Sequence, residues 1–239
     1  MRFSVFVSVA FALGAFAGPQ THRLEKRGQT HACEDTGLKI PLRTEPGIPL
    51  VGFSKPVSQQ TCLDFNEGEA PYWTYTDPTQ TVAKEVKTRV IAPDETKCEH
   101  IVEIQLLKQV LESPGGPCSQ IPAKQGRTPE IEKEFRLKFK QITDIINNRP
   151  NIVFADKALE GQKGDLVNKW QNGKTYTDKS KKNLLMAVND FLSRTSAQSL
   201  GVAAELDVRI AQLFPGTKLH VRDLWSGVLS FAATAHKGL

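Results

Sequence analysis

Glu99 and His100 stand side by side in the stretch Cys98-Glu99-His100-Ile101-Val102. An imidazole with an ordinary pKa of about 6.5 accepts a proton near neutral pH, so His100 is a candidate general base. On an extended segment, successive side chains point to opposite faces. A ligand at Glu99 and a base at His100 therefore need not compete for one space. Glu160 opens the later stretch Glu160-Gly161-Gln162-Lys163-Gly164, nine positions after the Asn151 of Asn151-Ile152-Val153-Phe154. Two carboxylates, Glu99 and Glu160, suit a hard divalent cation such as Mg²⁺ or Mn²⁺ that keeps several of its waters. Such an ion stabilises negative charge that develops on a reacting group. Taken singly, each residue has an ordinary structural reading: a core histidine, solvated carboxylates, a turn asparagine after Pro150.

These groups need elements that hold them together. Cys98–Val102 reads as a short strand. Ile104, Leu106, Leu107, Val110 and Leu111 then fall at near-helical spacing, and Ser113-Pro114-Gly115-Gly116-Pro117 stops that helix. Thr128-Pro129-Glu130 is a helix start with a Thr cap, Pro in the first turn and acids against the dipole. Its apolar face runs through Ile131, Phe135, Phe139, Ile142 and Ile145-Ile146 to Asn147, and Asn148-Arg149-Pro150 breaks it. Residues 151–154 form a second strand. Asp156 caps a helix carrying Leu159, Glu160, Lys163, Leu166 and Trp170, which Asn172-Gly173 ends.

In this order the set resembles the core of the HNH (His-Me finger, ββα-metal) endonucleases. In that family an Asp-His-Ile segment ends one strand, an Asn begins the next, and a His or Asn lies nine positions on, on the following helix. The resemblance covers chiefly residues 98–105 and 151–164. It implies an α+β fold: a ββα-metal (HNH-like) core with a helical insertion between its strands, a strand- and loop-rich N-terminal part and a helical C-terminal third. It implies metal-dependent hydrolysis of nucleic acid phosphodiester bonds, with His100 as base, Glu99 and Glu160 as metal ligands, and Asn151 holding the His100 loop and orienting the ring. Lys163 would approach a phosphate. Glu99 stands where the family has Asp, Glu160 where it has His or Asn, and the roughly fifty residues between the strands exceed the usual link. An added negative charge at residue 160 strengthens metal binding but repels phosphate if the metal is absent. The alternative expectation is a catalytically inactive HNH-like effector or binding protein, with a target in a host or competitor.

Lys157, Lys163, Lys169, Lys174, Lys179, Lys181 and Lys182 cluster beside the motif, and Lys133, Arg136, Lys138 and Lys140 lie on the insertion helix. Such cations contact phosphates without reading sequence, so the expected partner is the DNA or RNA backbone. The competing reading is a solvated helix face. Tyr72, Trp73 and Tyr75 could stack on bases, although a core or surface-strand role is the simpler reading of an alternating strand.

The N-terminus reads as a targeting segment. Arg2 precedes an almost wholly apolar run from Phe3 to Phe16, and Ala15-Phe16-Ala17 supplies small residues for cleavage. That run is shorter than the roughly 20 residues of a spanning helix. Leu24-Glu25-Lys26-Arg27 offers a dibasic processing site, an arrangement similar to that of fungal exported proteins. The expected organisation is a signal peptide at 1–17, a propeptide at 18–27 and one secreted domain at 28–239, with no membrane in the mature form. The motif core spans 98–172 and the helical part 177–239. Residues 1–27 hold Arg2, Arg23, Lys26 and Arg27 against Glu25, so their removal lowers the net charge from +5 to +2. Overall charge therefore makes no case for a nucleic-acid partner.

Cys33, Cys62, Cys98 and Cys118 are an even set, which in an exported chain implies two disulfides with three connectivities open. Cys33–Cys62 and Cys98–Cys118 close the shorter loops and are the expected pairs. There is no Asn-x-Ser/Thr sequon. In the N-terminal part, residues 38–42, 49–53, 72–76 and 87–92 are strand candidates. In the C-terminal third, the spacing predicts three helices: one opened by Thr177-Asp178, one over 200–214 and one over 220–235. His220 and His236 read as bystanders.

Overall fold

The computed structural model describes residues 31–42, 72–86, 96–237 and 239. The proposed leader, propeptide and dibasic site, the strand candidates at 49–53 and 87–92, and Cys62 lie outside them. So does the side chain of Cys98.

The molecule is α+β, with small sheets and a helical C-terminal part. A two-stranded antiparallel ribbon pairs β1 (His31–Ala32) with β2 (Ile40–Pro41). A four-stranded mixed sheet joins β3 (Tyr72–Thr74), β4 (Lys84–Val86), β5 (Thr96–His100) and β6 (Ile152–Asp156) in the order β4-β3-β6-β5. β5 and β6 run antiparallel with His100 opposite Ile152, whereas β3 runs parallel to β6. The expected strand over 98–102 thus starts earlier and stops at His100. β4 lies in a stretch that shows no strand pattern in the sequence.

Between β5 and β6 the chain makes α1 (Ile104–Leu111) and α2 (Pro129–Ile146), so the helical insertion has the expected two helices. The Thr128 side chain accepts from the Ile131 amide at the start of α2. Three of the basic residues on α2 are paired one turn away: Arg136 with Glu132 at 2.8 Å, Lys138 with Glu134 at 2.7 Å and Lys140 with Asp144 at 2.6 Å. Most of that basic stripe is therefore balanced within its own helix. After β6, Asp156 caps α3 (Lys157–Gln171) by accepting from the Ala158 amide at 2.7 Å.

The C-terminal part departs from expectation in helix number. A single helix, α4 (Lys182–Leu213), runs where two were predicted, followed by α5 (Val221–Ala235). The polar residues Ser193, Arg194, Thr195, Ser196, Gln198 and Ser199 lie between the two predicted helices. The Thr195, Ser196 and Ser199 hydroxyls donate to the carbonyls of Phe191, Ser193 and Ser196 at 2.9, 2.7 and 3.0 Å. Their polar groups are satisfied within the helix and do not compete with it. Ser199 also accepts from the buried Trp225 indole at 2.8 Å and so ties α5 to α4.

The disulfide pairing corrects the sequence expectation. Cys33 is joined to Cys118 across a separation of 85 residues, which excludes both expected pairs. Loop length favoured near pairs, but the fold brings β1 against α1. The Cys33 amide there donates to Glu112 at 3.1 Å, just past the end of α1. Long-range packing set the partner, and sequence distance does not report it.

Candidate functional site

β5 delivers Glu99 and His100 to the end of a strand, and α3 packs across β5 and β6. One stripe of α3 faces inward: Leu159, Lys163, Leu166 and Val167 are all buried. These positions recur every three to four residues, so Lys163 lies on the same face as its apolar neighbours.

Lys163 is the centre of the site. Its side chain is 1% exposed. Nζ lies 2.7 Å from Glu99 Oε1 and 3.1 Å from Glu103 Oε1. It also donates to the carbonyl oxygens of His100 and Ile101, the latter at 3.4 Å. Burial by itself would lower the pKa of this ammonium. The Glu103 and Glu99 carboxylates outweigh that and hold it above the ordinary lysine value, so it stays charged. Glu99 is pushed the other way from most paired acids. Burial raises it to about 7; Lys163 opposes the rise, and the charges of Glu103 and Glu160 add to it. Two carboxylates around one ammonium leave a net negative charge in a dry place, and a proton relieves it.

Asn151 is fully buried and clamps the chain that follows His100. Its Oδ1 accepts from the Val102 amide at 2.7 Å. Its Nδ2 donates to Val102 O at 3.2 Å and to Ile146 O at 2.9 Å. Its own carbonyl accepts from the Ile101 amide at 2.8 Å. The position just past β5 is thereby pinned both to the start of β6 and to the end of α2.

The His100 ring is 5% exposed, and its Nε2 lies 2.9 Å from Asn147 Oδ1. Asn147 Nδ2 donates to Leu42 O at 3.0 Å and to Thr143 O at 2.7 Å. With its amide nitrogen committed to two carbonyls, Asn147 presents an acceptor to the ring, so Nε2 carries the proton. The lone pair of a neutral ring is then on Nδ1. Asn147, not Asn151, contacts the imidazole.

The structure therefore brings Glu99, His100, Asn151 and Lys163 into one neighbourhood, with Glu160 half-buried on α3 close enough for its charge to be felt at Glu99. It does not present them to solvent. Lys163, expected at a phosphate, faces the interior because it lies on the apolar stripe of α3 and meets two buried carboxylates there. Lys157 is exposed on the first turn of α3, and Lys169 holds its ammonium 5.0 Å over the Tyr176 ring. Trp73 is buried edge-on against Phe191 at 5.0 Å with the Arg194 guanidinium 4.5 Å over its ring, so it does not offer a face to a base.

Glu103 and Asn147 belong to this site and carry no role in the sequence reading. The signal for Glu103 was its place four residues after Glu99, directly behind the apolar pair Ile101-Val102. For Asn147 it was an amide closing the apolar face of a predicted helix.

A divalent ion shared by Glu99 and Glu160 does not fit this donor set as arranged, because the Lys163 ammonium already occupies Glu99 Oε1 at 2.7 Å. Among the described residues, no group of three or more His, Cys, Asp and Glu side chains converges in a way that could hold a metal ion. Comparison of the chain with protein-family models, with curated proteins and with solved structures yields no match.

Proposed function

We propose that this is an exported, HNH-like protein that acts by binding a target, with its hydrolytic constellation converted into a buried framework. The position of Lys163 carries this reading. An endonuclease needs a metal ion and a base that reach a bulky polymer phosphate. Here Glu99 and Glu103 close around an internal cation, and Glu99, His100, Asn151 and Lys163 are all buried. The exposed lysines Lys157, Lys174 and Lys179, on and just after α3, supply the chemistry for an anionic partner. A nucleic acid backbone, contacted without cleavage, is the first partner to test.

The second reading is a metal-dependent endonuclease of low sequence specificity. It is favoured by the antiparallel β5–β6 pair with α3 across it, by the Asn151 clamp directly after His100, and by the influence of Glu160 on Glu99. It requires Mg²⁺ or Mn²⁺ to displace Lys163 from Glu99.

One experiment separates them. Residues 28–239 are incubated with labelled DNA and RNA in Mg²⁺, in Mn²⁺ and in EDTA, and both anisotropy and strand integrity are followed. Salt-dependent binding with intact strands under every metal supports the binding reading. Cleavage that disappears with EDTA and with His100→Ala establishes the nuclease and overturns it. Intact strands with no binding retain the non-hydrolytic reading and move the target to a protein.

A further inference from the structure

Four oxygens converge on the Lys163 ammonium: Glu99 Oε1 at 2.7 Å, Glu103 Oε1 at 3.1 Å, and the carbonyls of His100 and Ile101, the second at 3.4 Å. They come from one short stretch, the end of β5 and the turn into α1. The cation comes from α3, more than sixty residues later in the chain. The cage and its occupant are thus separate pieces of the sequence. The turn that carries the cage is also held by contacts that Lys163 does not make. The turn is pinned by Asn151 through the Ile101 amide and both polar groups of Val102. None of those contacts involves the Lys163 side chain.

We propose that this cage is a receptor for a primary ammonium, that Lys163 is its built-in ligand, and that shortening Lys163 converts it into a binding site for a small free alkylammonium. The proposal rests on the burial and pairing of Lys163 on which the binding reading also rests. The chemistry favours ammonium over a divalent ion. The separations of Nζ from the two carboxylates, 2.7 and 3.1 Å, are those of N–H donors to oxygen acceptors. Mg²⁺ demands oxygens at about 2.0–2.1 Å in a near-octahedral shell, and Ca²⁺ takes six to eight at about 2.3–2.6 Å. One ionised carboxylate balances the charge of an ammonium, and the second carboxyl group and the carbonyls supply acceptors for its other protons.

The test is thermal unfolding of Lys163→Ala in residues 28–239, titrated with methylammonium chloride, with sodium chloride at the same ionic strength as the reference. Lys163→Met, whose apolar chain fills the same space, is titrated in parallel. The expected result is a lowered midpoint for both variants and a dose-dependent recovery by methylammonium in Lys163→Ala alone, growing with the logarithm of its concentration once the site is filled. No recovery, or equal recovery in both variants, overturns the proposal. Recovery by Mn²⁺ at lower concentration than methylammonium overturns it too and makes the cage a metal site. Should Lys163→Ala not fold, reductive methylation of the native wild-type chain decides. Lys163 is expected to stay unmodified while Lys157 and Lys174 react, and its modification at their rate overturns the proposal. The cleavage experiment is read on the wild-type chain without ammonium, so loss of the binding reading and loss of the cage are told apart.

Discussion

The polar cluster beneath α3 and the packing of α5 on α4 are both buried, yet different forces hold them. Between α4 and α5 the contact is mainly apolar: Val202, Ala203, Leu206 and Ile210 are buried on one helix and Val221, Trp225, Val228 and Ala232 on the other, with hydrogen bonds from Trp225 to Ser199 and from the Val221 and Arg222 amides to Asp207. Dispersion and burial are roughly additive, so such a contact weakens by degrees as atoms are removed. Under α3, two carboxylates, an ammonium, two asparagines and an imidazole are desolvated together. Each group depends on its partner being there. An apolar interface tolerates a missing methyl, whereas a charge cluster without its counter-ion has nothing to replace it.

Breaking the cluster should show the largest effect. Lys163→Met leaves Glu99 and Glu103 facing each other without a cation and is expected to cost about 3–5 kcal/mol by denaturant unfolding. A cost below about 1 kcal/mol would mean that the cluster is not a single unit. On the apolar side, Gly227 on α5 sits against α3, where a Cβ would lie 2.5 Å from Trp170 Cζ2. Gly227→Ala is therefore expected to cost about 1–3 kcal/mol by forcing that ring to shift. An unchanged stability would show that the Trp170 ring moves aside freely. Asp207 on α4 accepts from the Val221 and Arg222 amides at 2.7 and 3.1 Å and caps α5 from outside its own helix. Asp207→Ala should cost about 1 kcal/mol, and Asp207→Asn should recover part of it.

The finest distinction between the two regions is pH. Glu99 is raised by burial from an ordinary value of 4.5 to about 7. The folded state therefore binds a proton more readily than the unfolded chain between those values. Its contribution to stability is greatest below about 4.5 and is lost as pH rises through about 7. Glu99→Gln is expected to flatten this part of the stability–pH curve. A slope unchanged by the substitution would place the proton elsewhere.

Much of the cluster could be read in the sequence without its arrangement being readable. Glu99, His100, Asn151 and Lys163 stand out because chemically able groups fall beside strand and helix signals. The caps at Thr128 and Asp156 gave the starts of α2 and α3, since cap chemistry is local. The direction of Lys163 was also present in principle, because it shares the spacing of Leu159 and Leu166. A lysine on an apolar stripe is buried only if something opposite balances it, and Glu103 is not adjacent to it in sequence. The unbroken α4 escaped for a different reason. Serine and threonine turn back on the helix carbonyls only once the helix exists, so composition reads as a break.

The sequence by itself determined the local elements and the stock of groups: an Asp-capped α3, a Thr-capped α2, an acid–histidine pair at a strand end and an asparagine opening the next strand. These follow from backbone geometry and hydrogen bonding over a few residues. The tertiary structure decided the partners. It joined Cys33 to Cys118, set Asn147 rather than Asn151 on the His100 ring, and placed Lys163 between Glu99 and Glu103. Each of these contacts spans dozens of residues, and its energy exists only when water has been removed from both sides at once. That condition belongs to the packed molecule and to no segment of it.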